Sequence, residues 1–291
     1  MLLQQFINGL ALGSIYALIA LGYTMVYGII ALINFAHGEI FMAGAFVGLL
    51  MVSYFNVNIF VAIAAAMLFC ICLGVIVEMV AYRRLRRASR LSALISAIGV
   101  SIFLCSLAMM LFGANAKGFP EGVFPIRQIK FGTAEVSSLQ LFIIGTSAVL
   151  MLLLQFIVRR TKIGKAMRAT AEDYQTASLM GINVNRVISF TFAIGSALAA
   201  AGGVLVGLQF NAVSFNMGLM AGLKAFAAAV LGGIGSIPGA VLGGLLLGLS
   251  EVFGVAAGYS SYRDAIAFGI LVLVLLVRPT GLLGQKVQQK V

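Results

Sequence analysis

The chain has 291 residues, 62% of them hydrophobic and only 9% charged, with a net charge of +11 and a mean hydropathy of +1.11. A soluble domain carries about 25% charged residues, so this composition excludes a water-soluble enzyme or binding module. It indicates an all-α polytopic membrane protein whose apolar runs, at about 20 residues each, cross roughly 30 Å of hydrocarbon.

Nine apolar segments follow in chain order, at 6–30, 33–55, 58–82, 91–114, 138–158, 187–210, 218–234, 237–257 and 262–278. No basic residue precedes the first, which therefore does not read as a cleaved signal peptide. The seventh is short, carries Lys224 and breaks at Gly232-Gly233, so it is a half-helix or a re-entrant element and the total is eight or nine membrane helices. All of them belong to one transmembrane domain over 1–291. Cys70, Cys72 and Cys105 fall inside apolar segments with no His or further Cys beside them, and are read as small buried hydrophobes.

The Lys and Arg residues gather in two loops and the tail, a distribution that orients a protein against anionic lipid and does not suit nucleic acid. Residues 83–90 hold five Arg in eight, which places that loop in the cytoplasm. The 115–137 segment, with three basic residues, two Glu and two Pro, falls on the outer face. Residues 159–186 return to the inside with Arg159, Arg160, Lys162, Lys165 and Arg168, and the tail with Arg278, Lys286 and Lys290 ends there too. Counting back places the N-terminus outside.

A shift of 182 residues aligns Ala11-Leu12-Gly13-Ser14 with Ala193-Ile194-Gly195-Ser196, Ala17 with Ala199 and Asn34 with Asn216. The two copies run in opposite directions, the pattern of an inverted repeat. Of the 34 glycines, most suit close packing of helices in lipid. The run from Gly232 to Gly239 cannot stay helical and is a turn, a hinge or part of a pathway, here read as a tight turn at the inner face.

Glu39, Glu78, Lys224 and Glu251 lie within the apolar segments, each costing roughly 2.5–3.5 kcal/mol unless partnered. Glu78 reaches Arg83 at its basic end. Glu39 sits at the start of the second segment, where Asn34 is placed to cap, and serves either as a helix-end counter-charge or as a gating group. Lys224 and Glu251 are placed to pair, or to contact a substrate. No Gly-Lys-Ser/Thr phosphate loop, metal cluster or nucleophile–base pair is present, so the chain is read as no enzyme, with no cofactor and no metal, and any uphill work draws on a partner or a coupled ion.

The segments 22–44 (GYTMVYGIIALINFAHGEIFMAG), 94–104 (LISAIGVSIFL), 168–192 (RATAEDYQTASLMGINVNRVISFTF) and 224–248 (KAFAAAVLGGIGSIPGAVLGGLLLG) resemble the H-type permease subunit of bacterial ABC importers for branched-chain amino acids over nearly the full length. That resemblance implies an inward transporter working with a second homologous permease, two ATPase subunits and a periplasmic amino-acid-binding protein. It makes 159–186 the loop that engages the ATPases, with Ala171, Glu172, Asp173, Tyr174, Ala177, Ser178, Leu179, Met180 and Gly181 as its contact region. Glu-Ala-Ala of the general motif is Ala171-Glu172-Asp173 here, and Gly181 follows further on. A helix from Ala171 to Met180, with acids at its start and Gly181 as its stop, would present Tyr174, Ala177 and Ser178 on one face and Glu172, Asp173 and Gln175 on the other. Asn34, Asn211, Ser214 and Asn216 are candidates for the polar lining of the path. The residues alone leave open a permease for urea, short amides or other amino acids, and a stand-alone ion-coupled carrier.

Overall fold

The computed structural model describes residues 2–85, 88–131 and 134–284. Arg86 and Arg87 of the basic loop, and Lys286 and Lys290 of the tail, lie outside the described residues. The chain folds into α1 (Leu2–Ile30), α2 (His37–Phe55), α3 (Ile59–Val77) with a π-helical turn at Glu78–Tyr82, α4 (Arg90–Phe112), β1 (Gln128–Phe131), β2 (Ala134–Ser137), α5 (Ser138–Arg160), α6 (Lys162–Glu172), α7 (Tyr174–Leu179), α8 (Val184–Phe210), α9 (Met217–Gly232), α10 (Ile237–Ala256) and α11 (Arg263–Val277). Among the described residues, eight helices are long and apolar enough to cross a membrane. The seventh apolar segment is the short one: α9 has 16 residues and is about 24 Å long. The antiparallel β1–β2 hairpin, within the 115–137 segment, is the sole sheet among the described residues.

The helices are apolar all round, so their burial is set by position in the bundle. The most apolar stretch of α1 is 94% buried and that of α8 is 78% buried, against 6% for α11. The core is therefore an antiparallel α1–α8 pair, in which Gly195 packs on Gly22 and Gly202 on Ile19. The outer faces of α3, α4, α5 and α11 expose Leu68, Phe103, Met110, Leu152, Phe156 and Leu276, surface that hydrocarbon or another membrane helix covers. Cys70 is buried and its thiol meets the Ile40 carbonyl at 3.4 Å, whereas Cys72 is on that outer face and exposed.

The three-helix unit α1–α2–α3 recurs as α8–α9–α10. α2 runs alongside α8 in the same direction, with Gly44 on Ala200 and Gly48 on Val204, and α9 runs alongside α1, from Tyr23–Gly222 to Gly28–Gly235. Since α1 and α8 are antiparallel, so are the two units. Ala31 and Asn211 close α1 and α8 with left-handed φ of 51° and 46°. The bonds His37 N–H to Asn34 C=O (3.1 Å) and Met217 N–H to Ser214 C=O (3.3 Å) then occupy matching places. From 31 to 211 the register is 180 residues, not 182, so Asn34 matches Ser214 and not Asn216.

The buried charges Glu78, Lys224 and Glu251 are paired. Glu78 is fully buried and bonds Arg83 at 2.8 Å and the Ser189 hydroxyl at 2.8 Å. The π-helical turn, closed by Arg83 N–H to Glu78 C=O, brings residues five apart onto one face. Lys224 donates to Glu251 at 2.8 Å and meets Asp264 at 2.6 Å, Tyr16 donates to Glu251 at 2.8 Å, and Arg263 also contacts Glu251. The Lys224–Glu251 pair expected from the sequence is thus half of a network joining α1, α9, α10 and α11; Arg263 and Asp264 escaped notice because they sit at the edge of an apolar run. Glu251→Gln leaves Lys224 and Arg263 sharing one carboxylate and is expected to destabilise the fold by about 3–5 kcal/mol, read as a lower thermal-unfolding temperature in detergent.

Candidate functional site

The extramembrane arm between α5 and α8 is built from caps. Thr161 accepts from Gly164 N–H at 3.1 Å and starts α6 against the end of α5, where Gly164 is pressed onto the Ile157 and Val158 carbonyls. Arg168 donates to the Val158 carbonyl at 2.7 Å, and Met167 is buried beneath it. Arg159, Arg160, Lys162 and Lys165 stay exposed, giving this corner its positive charge.

The single helix expected over Ala171–Met180 does not form. Asp173 is extended (φ −159°, ψ 115°); its carboxylate accepts from Gln175 N–H (2.8 Å), Thr176 N–H (3.3 Å) and the Thr176 hydroxyl (2.8 Å). An Asp that satisfies the first N–H groups of a new helix competes with continuation of the old one. Ala171 and Glu172 therefore end α6, and α7 is a six-residue helix. It stops as the sequence suggests: Gly181 has φ +81°, and the bonds Ile182 N–H to Ala177 C=O and Gly181 N–H to Ser178 C=O form a Schellman motif.

Ala177 anchors α7, at 4% exposure, while Leu179 and Met180 stand out at 87% and 78%. Tyr174 and Ser178 face a cavity of about 1090 Å³, and Gln175, expected on the opposite side, lines it with them. The other walls are Ile30–Leu32 at the end of α1, Leu85 and Ala88 from the basic loop, and the start of α8. Asp173→Ala removes the cap of a helix too short to hold itself, at a cost of about 1 kcal/mol. It is expected to weaken binding of any partner of α7 about fivefold, measurable by titration.

The four path candidates do not converge. Asn34 is buried, its Oδ1 accepts from the Tyr82 hydroxyl at 3.0 Å, and its Nδ2 has no partner. It does not cap α2, whose N-cap is Ala36 with no side-chain bond. Asn211 closes α8 and accepts from Phe119 N–H at 2.8 Å, tying down residues 117–119, and Ser214 donates to Asn216 at 2.8 Å. They lie on the two equivalent connectors, 31–36 and 211–216, and those connectors lead to the feature the sequence concealed.

α2 begins beside Gly22, whose Cα packs on His37, and Gly22 packs on Gly195, the middle of α8. Gly22 is eight residues before the end of α1, about 12 Å along it. α2 thus starts at depth, and α9 starts against it: Gly38 packs on the Gly218 carbonyl and Gly222 on Gly38. Two helix N-termini meet inside the bundle. The available sequence signal was Gly38 and Gly218 at the same place in both repeats.

The fold is similar to that of a metal-chelate-type ABC transporter solved in an inward-facing conformation, at a TM-score of 0.53 and 18% identity over 93% of this chain and 85% of that one. The profile of the family described as branched-chain amino acid transport system / permease component matches residues 5–275, and the chain belongs to this family. It is 46% identical to the high-affinity branched-chain amino acid transport system permease protein BraD of Pseudomonas aeruginosa, over 99% of this chain and 98% of that protein. It is 44% identical to the corresponding LivH protein of Escherichia coli K12, over 99% and 97%.

Proposed function

We propose that this chain is the permease subunit of an ATP-driven importer that moves branched-chain amino acids across a bacterial inner membrane. The observation that carries the reading is full-length similarity at 44–46% identity to permeases named for that transport. The chain holds the path; two separate ATPases grip the α6–α7 arm from the cytoplasm, a second homologous permease completes the path, and a periplasmic binding protein delivers the amino acid. The N-terminus is periplasmic and the C-terminus cytoplasmic.

The arm supports this role through its shape. α7 presents apolar Leu179 and Met180 outward and lines a cavity together with the end of α1. A push on α7 passes through α6, which packs on both α7 and α1, toward the connector to α2, which Tyr82 holds through Asn34 and the Ile33 carbonyl. Nucleotide drives such a cycle only through different affinities of the ATPases for the two gate states.

Proteoliposomes holding both permeases, the ATPases and the binding protein should accumulate leucine, isoleucine and valine only with ATP inside. Uptake by this chain alone under a sodium or proton gradient would overturn the reading. A membrane-impermeant thiol reagent should reach Ser178→Cys from the ATPase side alone.

A further inference from the structure

The meeting point of α2 and α9 has a chemical character that packing does not account for. Seven helices, α3 to α8 and α10, open with a side-chain cap, at Asn58, Ser89, Ser137, Thr161, Asp173, Asn183 and Ser236. α2, α9 and α11 open without one, and of these α2 and α9 start against each other. The His37 and Met217 N–H groups of α2 and α9 bond the Asn34 and Ser214 carbonyls; the N–H groups that follow in each first turn lack intrahelical partners, and each end carries about half a positive charge. Two like ends set against each other in a low-dielectric bundle call for an anion.

Glu39 is that anion in this conformation. It stands in the first turn of α2 at 2% exposure. Its Oε1 accepts from the Ser101 hydroxyl of α4 at 3.2 Å. Its Oε2 has no hydrogen-bond partner and lies over Gly218, where a Cβ would stand 2.7 Å from it. The Tyr23 hydroxyl sits beside Gly38 and Gly222. Native interiors rarely leave a buried carboxylate oxygen unmet. The neighbouring Leu219 and Met220 are exposed, so the point lies near the apolar outer face of α9 and is not sealed at the centre.

We propose that the paired N-termini of α2 and α9 recognise the charged end of the transported amino acid, with Glu39 taking its ammonium and the uncapped N–H groups of α9 taking its carboxylate. A zwitterion crossing a dry bundle must have both charges met. The N-terminus of a discontinuous helix suits a carboxylate, and a buried carboxylate suits an ammonium. In the arrangement seen here, Glu39 Oε2 occupies the place beside α9 that the substrate carboxylate takes. When Gly38 and Gly218 part, the substrate exchanges for it, and its ammonium keeps Glu39 paired. Recognition then depends on the α-amino acid moiety, while the side chain meets apolar surface.

This inference rests on the import reading above, and the test separates the two. In reconstituted complex, Glu39→Gln keeps the side chain's shape and should still assemble with the ATPases, yet lower leucine uptake at least tenfold. In wild-type complex, a hydrophobic carbodiimide should modify Glu39, and leucine present during turnover should protect it at least threefold, read by peptide mass spectrometry. The second arm needs no variant and decides alone if Glu39→Gln fails to accumulate. A wild-type complex that takes up no amino acid overturns the import reading. Wild-type uptake matched by Glu39→Gln, or carbodiimide labelling that is equal or absent with and without leucine, overturns this inference only.

Discussion

Replacing Leu179 and Met180 together by glutamate is expected to abolish co-purification of the ATPases and, with it, ATP-driven uptake. These two side chains are 87% and 78% exposed on an arm that otherwise shows water polar and charged groups. Large apolar groups held out on a short, capped helix mark a contact surface. A few such anchors carry most of an interface's energy, so losing two and burying two carboxylates in their place should weaken association more than a hundredfold, about 3 kcal/mol. Neither residue supports the bundle, and surface substitutions of this kind stay within about 0.5 kcal/mol of neutral for the fold itself. The thermal-unfolding temperature of the isolated permease should therefore be unchanged. If the pair instead anchors the arm in lipid headgroups, ATPase association will survive the substitution, and the arm loses its role as the coupling element.

The arm also shows where sequence reasoning reaches its limit. Its position, basic entry and Gly181 stop are readable, because charge density and a lone glycine after a helical pattern have few other interpretations; the exposure of Leu179 and Met180 is not. The break at Asp173 is not readable in the same way. Asp-Tyr-Gln-Thr can continue a helix or cap a new one, and the choice falls to the cap because Thr176 supplies a hydroxyl as well as an N–H to the same carboxylate. The membrane segments were legible for a simpler reason: a run of about 20 apolar residues has one stable environment. Depth was not. Hydropathy sees α2 as one more apolar run, and nothing in it tells a helix that begins at the membrane surface from one that begins beside Gly22 and Gly218.

The repeat fails and succeeds in the same terms. Its existence could be glimpsed from small residues in α1 and α8, but the register was drawn to the match of Asn34 with Asn216. The structure aligns backbone conformation instead. Ala31 and Asn211 share the left-handed turn although they share no chemistry, and Asn34 aligns with Ser214. In a bundle held by close backbone approach, conformation and small size persist where side-chain identity does not. Hence Gly38 and Gly218 correspond while Glu39, opposite Leu219, has no counterpart. That asymmetry gives a structurally twofold site one carboxylate and one free helix end, the two complements an amino acid requires.

The strongest dependence of the fold itself should lie where α2 crosses α8. Gly203 faces the Phe41 carbonyl, which a Cβ would overlap, and Ala45 N at 3.1 Å; from the other side, Gly44 abuts Ala200, where a Cβ would lie 2.7 Å from the methyl group. The obstructing atoms are mostly backbone, so no rotamer change relieves them, and the two helices must separate. Gly203→Leu is expected to cost about 3 kcal/mol or more, leaving little folded permease in the membrane fraction. Gly145 of α5 is the matched control: it too is helical and apolar in surroundings, but nothing stands within 4 Å of where its Cβ would be. Gly145→Leu should accumulate at wild-type levels and unfold at the same temperature or slightly higher, since leucine is the better helix former. The comparison isolates packing from composition, because both substitutions add the same side chain to the same kind of helix. Equal accumulation of the two variants would mean that α2 and α8 do not pack through Gly203, and the mid-bundle meeting of α2 with α9, which that packing positions, would go with it.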